Sequence, residues 1–139
     1  MAVTIDIGEA TNVHPQNKQD VGHRLVLIAL AKIYGRTNEY SGPVFQQATI
    51  RGRKVTVTFA HTSGGIIAKG GRLLGFEIAG DDLKFFPAEA SIVGDTVELR
   101  HTAILKPMAV RYAWADNPEC TLYNAAGLPA APFRSVMSP

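Results

Sequence analysis

The sequence predicts a mainly β protein, an antiparallel sandwich-like body preceded by a strand-loop-helix unit. Three observations carry this. From residue 41 onward, short runs of alternating apolar and polar residues recur, punctuated by Gly, Pro and Asp. Before that point one segment alone, "DVGHRLVLIALAKIYG", has the length and texture of a helix. The texture changes between Gly35 and Ser41, which sets a boundary between residues 1–38 and residues 39–139.

"VTIDIG" at 3–8 alternates and reads as a short strand. The polar loop "EATNVHPQNK" follows, and Asn17 or Asp20 is placed to cap the helix. That helix ends at Gly35. Leu25, Val26, Leu27, Ile28, Leu30, Ala31 and Ile33 surround most of it, leaving Arg24 and Lys32 as solvent markers. A helix apolar on nearly all sides needs cover on nearly all sides, and few later helices are available to give it. Gly22 lowers its propensity while permitting close packing.

In the body, "QATIRGRKVTVTFAH" gives two strands, with Ala48, Ile50, Val55, Val57 and Phe59 on one face and Thr56 and Thr58 on the other. The glycine pairs 64–65 and 70–71 separate further short strands, and "GD" at 94–95 makes another turn. "KPMAVRYAW" reads as a last alternating strand with Met108, Val110, Tyr112 and Trp114 on its inner face. The proline-rich tail from Asn117 reads as an irregular wrap, ordered to about Arg134 and frayed beyond it.

Composition excludes several function classes. Fourteen Lys and Arg against 12 Asp and Glu give a charge of +2, with no basic run interleaved with aromatics, so nucleic acid is not an expected partner. The apolar run "LVLIALA" is too short to span a bilayer, and "MAVTIDIG" has neither the basic nor the apolar part of a signal peptide. A single cysteine, Cys120, rules out an internal disulfide and a cysteine zinc cluster. No close metal-ligand spacing occurs, and no cofactor is expected. "GGIIAKGG" lacks the order of a phosphate loop, and no G-x-S-x-G elbow is present.

The chemistry therefore rests on "NVHPQNKQDVGHRL". A neutral imidazole takes a proton from a serine hydroxyl and returns it to a leaving group, and His14, in a loop ahead of a helix, suits that role. Pattern alone favours a local turn-fixing hydrogen bond instead. His23 reads as a surface or interdomain contact, and His61 and His101 as turn stabilisers. Ser41 and Ser63 sit in turns, and no spacing pairs either with His14. Tyr112, Trp114 and Tyr123 are candidates for a sugar-binding platform, although the alternation makes Tyr112 and Trp114 core residues first.

The stretches "IDIGEATNVHPQNKQDVGHRLVLIALAKIYG", "YSGPVF", "GGIIAKGG" with "LLGFEIAG", and "AVRYAWADNPECTLYNAAGLPAAPFRS" resemble the carboxy-terminal part of bacterial sialate O-acetylesterase-like proteins, SGNH/GDSL-type serine hydrolases. The resemblance implies removal of acetyl groups from sialic acids or polysaccharides and a periplasmic or secreted parent. It implies that residues 1–38 are the strand, histidine loop and helix that end an α/β hydrolase domain, with His14 as general base. It makes residues 39–139 a β-rich accessory domain. An upstream hydrolase segment would cover the helix at 20–34; self-association through that helix is the other option. The nucleophile block is not in this sequence, so the chain by itself is expected to be inactive. Hydrolases of this type often place Asp three residues before the histidine, where this chain has Thr11; Asn12, Glu9 and Asp6 are the neighbours, and Asn12 could orient the imidazole without giving it a carboxylate charge. A carbohydrate-binding or purely structural β module is the alternative reading.

Overall fold

The computed structural model describes residues 1–14 and 16–137. Among the described residues one α-helix, α1 (Lys18–Lys32), precedes the strands β1 (Val44–Arg51), β2 (Lys54–Ala60), β3 (Ile66–Ala68), β4 (Phe76–Ala79), β5 (Phe85–Pro87), β6 (Glu89–Val93), β7 (Thr96–Arg100), β8 (Ala109–Tyr112), β9 (Leu122–Asn124) and β10 (Phe133–Val136). They form two four-stranded sheets, β1-β2-β7-β6 and β10-β8-β4-β5, and a small pair, β3-β9. Every pairing is antiparallel. The mainly β, sandwich-like body with an amino-terminal helix is the architecture that the alternation predicts.

Alternation decides which side chains meet. Val55 and Val57 lie opposite Leu99 and Val97, all four fully buried, while Thr56 and Thr58 between them point outward. Phe76, Ile78, Val110, Tyr112 and Phe133 supply the other sheet's share of the same core. Phe133 stacks on Phe45 at 4.5 Å and lies 6.0 Å from both Phe59 and Tyr112. Burying each such side chain stabilises the fold by about 1.5–3 kcal/mol. Asn124, buried with them, is fully employed: its Nδ2 donates to the carbonyls of Ser41 (2.9 Å) and His61 (3.0 Å), and its Oδ1 accepts from Leu128 N–H (3.0 Å).

Four local expectations change. Residues 3–8 form a turn rather than a strand, with Ile7 N–H donating to Thr4 O at 3.2 Å; they lie beside α1 and Tyr123, whose strand β9 already pairs with β3 on one side and with the chain at Leu128–Ala130 on the other. The helix α1 starts at Lys18 rather than at Asp20, because of the two expected caps it is Asn17 that serves, its Oδ1 accepting from Asp20 N–H at 3.1 Å. Arg24 is not a solvent marker: it is 8% exposed and paired. The tail does not fray at Arg134, because β10 joins β8 in register and Met137 is buried; Ser138 and Pro139 fall outside the described residues.

The alternation of β8 also stops earlier than expected. Ala113 takes a left-handed backbone (φ 51°), which costs a residue with a Cβ roughly 1–2 kcal/mol. The turn rotates Trp114 away from the row of Val110 and Tyr112 and leaves it 49% exposed.

Candidate functional site

The histidine loop is built around Glu9. Its Oε1 accepts from Gln16 N–H at 2.7 Å, and its Oε2 accepts from Asn12 Nδ2 at 3.3 Å. Asn12 in turn accepts His14 N–H on its Oδ1 at 2.9 Å. Asn12 thus orients the backbone of His14, not its ring. The imidazole stands exposed, and among the described residues nothing hydrogen-bonds to it. A carboxylate taking hydrogen bonds from both sides of the turn holds the two ends of the loop together.

The loop and α1 are pinned to the β body by a buried polar cluster. Arg24 donates to both carboxylate oxygens of Asp6 (2.6 and 2.8 Å) and to Val3 O (2.7 Å), and the Tyr123 hydroxyl donates to Asp6 Oδ2 at 2.9 Å. Burial pushes the Asp6 carboxyl up, but the Arg24 hydrogen bonds and charge, with the Tyr123 hydroxyl, outweigh it and hold the group below its usual value. Burial and the ionised Asp6 together push the Tyr123 phenol up. Sequence reasoning missed this cluster; the available signal was one arginine in the middle of an apolar helix. The opposite flank of α1 is uncovered, with Leu25 and Val26 each 54% exposed and Ile33 76%.

The remaining candidates do not assemble into a hydrolytic relay. His61 Nδ1 and Ser63 Oγ both donate to Glu39, at 2.9 Å on Oε1 and 2.5 Å on Oε2. They share one acceptor and make no bond to each other, so the imidazole is not placed to take the Ser63 proton. Partial burial raises the Glu39 carboxyl, yet Ser63, His61 and the backbone N–H groups of Tyr40 and Ser41 lower it from 4.5 to about 2. Ser41 donates to Gly42 O at 3.0 Å. His101 Nδ1 accepts Ala103 N–H at 3.2 Å and its ring stacks on Phe86, while His23 is exposed on α1. Burial pushes the Cys120 thiol up, away from a reactive thiolate. Among the described residues no group of three His, Cys, Asp or Glu side chains could hold a metal ion, and no helix is long and apolar enough to cross a membrane.

Of the three aromatic candidates, Tyr112 is 1% exposed in the core, its hydroxyl accepting Leu122 N–H at 3.0 Å. Tyr123 is buried by its bond to Asp6, with Lys69 Nζ 4.9 Å from its ring centre. Trp114 alone of the three turns a ring to solvent. It borders an open cavity of about 370 Å³ with Ile5, Ala113, Ala115, Asp116 and Pro132.

Over nearly all of its length the chain is homologous to a portion of one class of proteins, the carbohydrate O-acetylesterases. Its fold matches the crystal structure of a carbohydrate acetylesterase from Xanthomonas citri with a TM-score of 0.93 and 47% identity, over 96% of this chain and 32% of that one. It is 28% identical to the sialate O-acetylesterase of Homo sapiens and 30% identical to that of Pongo abelii, in each case over 96% of this chain and 28% of the relative. The chain thus spans under a third of the length of these proteins. No protein-family model matches it.

Proposed function

We propose that this chain is the carboxy-terminal part of a carbohydrate O-acetylesterase of the SGNH/GDSL type. In this reading residues 1–38 end the hydrolase domain, residues 39–139 form its accessory β domain, and the serine nucleophile lies in the portion of the relatives that this chain does not span. The observation that carries it is the His14 imidazole, exposed on a loop that Glu9 braces beside a helix with an uncovered apolar flank. The uncovered flank supports an upstream hydrolase segment as the partner in preference to a second copy, because the relatives continue for more than twice this length. A periplasmic or secreted parent fits a sugar substrate.

His14 would take the serine proton as the hydroxyl attacks the acetyl carbonyl, then give that proton to the departing sugar oxygen. It would next take a proton from the water that cleaves the acetyl-enzyme, releasing acetate and restoring the serine. Asn12, engaged with the backbone, would supply no charge to the imidazolium, and the acidic partner would come from the hydrolase segment.

The test joins the chain to the serine-bearing segment of its parent reading frame and follows acetate release from acetylated sugars. The chain alone is expected to show negligible hydrolysis, the joined protein robust hydrolysis, and its His14→Ala variant a loss of about 10²-fold or more in kcat. Rapid hydrolysis by the chain alone that disappears in His14→Ala would overturn the divided site and require a local nucleophile.

A further inference from the structure

We propose that Trp114 and Asp116 form a subsite for a neutral saccharide, distinct from the histidine loop. The proposal rests on the carbohydrate reading above for its ligand class, and its site comes from three features of the β body. The first is the Ala113 backbone, left-handed at φ 51°, in a buried residue whose N–H is fixed to Gly75 O at 2.9 Å. A non-glycine residue held in that conformation at the end of a central strand sets the direction of Trp114 from a rigid element. The second is the concavity of about 370 Å³ beside the indole, open to solvent on its outer side.

The third feature is the chemistry of its wall. Ile5, Ala113, Ala115 and Pro132 are apolar, the indole is flat, and the charged side chain is Asp116. A pyranose has an apolar face of C–H groups and a rim of hydroxyls. The indole covers the first, and a carboxylate accepts hydrogen bonds from neighbouring hydroxyls of the second. The same carboxylate repels the carboxylate of an acidic sugar. The site therefore suits an uncharged hexose or pentose residue and disfavours sialic acid.

Trp114 is the only tryptophan of the chain, so its fluorescence reports this site without a label. The full chain is titrated with cellohexaose, mannohexaose and N-acetylneuraminic acid. A saturable change is expected at millimolar concentrations of at least one neutral oligosaccharide and none with the acid. Asp116→Asn keeps the fluorophore and should weaken binding about tenfold, the loss of one charge-assisted hydrogen bond. Trp114→Ala, followed by calorimetry, should abolish binding with an unchanged circular dichroism spectrum, because the ring is half-exposed. His14→Ala should bind as the parent does, which separates this site from the hydrolytic reading: loss of hydrolysis there leaves the binding result standing. No saturable response to either neutral sugar, an equal response to N-acetylneuraminic acid, or binding that survives Trp114→Ala would overturn the proposal. So would shielding of Trp114 from acrylamide in the joined protein, which would make this surface an intramolecular contact.

Discussion

The β body and the helical unit in front of it are stabilised in different ways. Within the body, Val55, Val57, Val97 and Leu99 face Ile78, Val110 and Tyr112 with almost no surface left to water. That core closes between the two sheets, with Ile5 of the amino-terminal unit packed against its edge. The helix touches the body along a face whose most buried residue is a charge, Arg24, while Leu25, Val26 and Ile33 meet solvent. Apolar burial is undirected and tolerates small adjustments, whereas a bidentate ion pair fixes position and angle. The body carries the buried core; the helix and its histidine loop are oriented on it by the Arg24 and Asp6 contacts and left open on the other side.

The largest effect should come from breaking that orientation. Arg24→Ala strands the buried Asp6 carboxylate, a change that typically costs about 3–5 kcal/mol. If the unit undocks without opening the sandwich, hydrogen exchange should accelerate across α1 while the amides of β2 and β7 keep their protection. The double variant Arg24→Met with Asp6→Leu should recover most of the loss, since it leaves no unpaired charge. Unchanged exchange in Arg24→Ala would mean that apolar packing alone holds the helix, and the contrast between the two regions would fail.

This division also governs what could be read from the sequence. The period-two pattern of "KVTVTFA" maps directly onto side chains that alternate between core and solvent, so the strands and the sandwich were legible. Pairing partners 18 and 117 residues apart carry no such pattern, so Arg24 looked like a surface residue until Asp6 and Tyr123 were placed around it. Trp114 failed for a local reason: one left-handed alanine ends the alternation, and nothing in "VRYAW" marks Ala113 as that residue. His14 was legible as a candidate base from its place in a polar loop ahead of the helix, although its exposure was not, and Glu9 as the brace of that loop was not, because its bond to Gln16 crosses the turn.

Acid should loosen the junction next, by a smaller amount. Glu39 collects Ser63, His61 and two backbone N–H groups, and its carboxyl falls from 4.5 to about 2 on folding; Asp6 is lowered as well. A lowered carboxyl stabilises the fold fully above its unfolded value, and the contribution is lost as pH falls towards the folded one. Urea midpoints should therefore hold down to about pH 5 and decline progressively towards about pH 2. Glu39→Gln should be less stable at neutral pH and show a shallower decline. An identical decline in Glu39→Gln would assign the acid sensitivity to Asp6 and leave the Glu39 cluster without a part in it.

The smallest effect on stability should come from the uncovered flank, and that smallness is the informative result. Leu25 and Val26 are more than half exposed, so replacing both with Lys removes little burial and should change the unfolding free energy of the chain by only about 0.5 kcal/mol. In the joined protein the same pair would have to carry two ammonium groups into an apolar contact, where unpaired charge is far more costly than on a surface. Association with the serine-bearing segment, added separately and measured by calorimetry, should then be lost while the chain itself melts as before. Retained association would place the hydrolase segment elsewhere and leave the helix flank as a solvated face. A large loss of stability in the chain alone would instead mean that Leu25 and Val26 already pack against the β body, making the two regions one core.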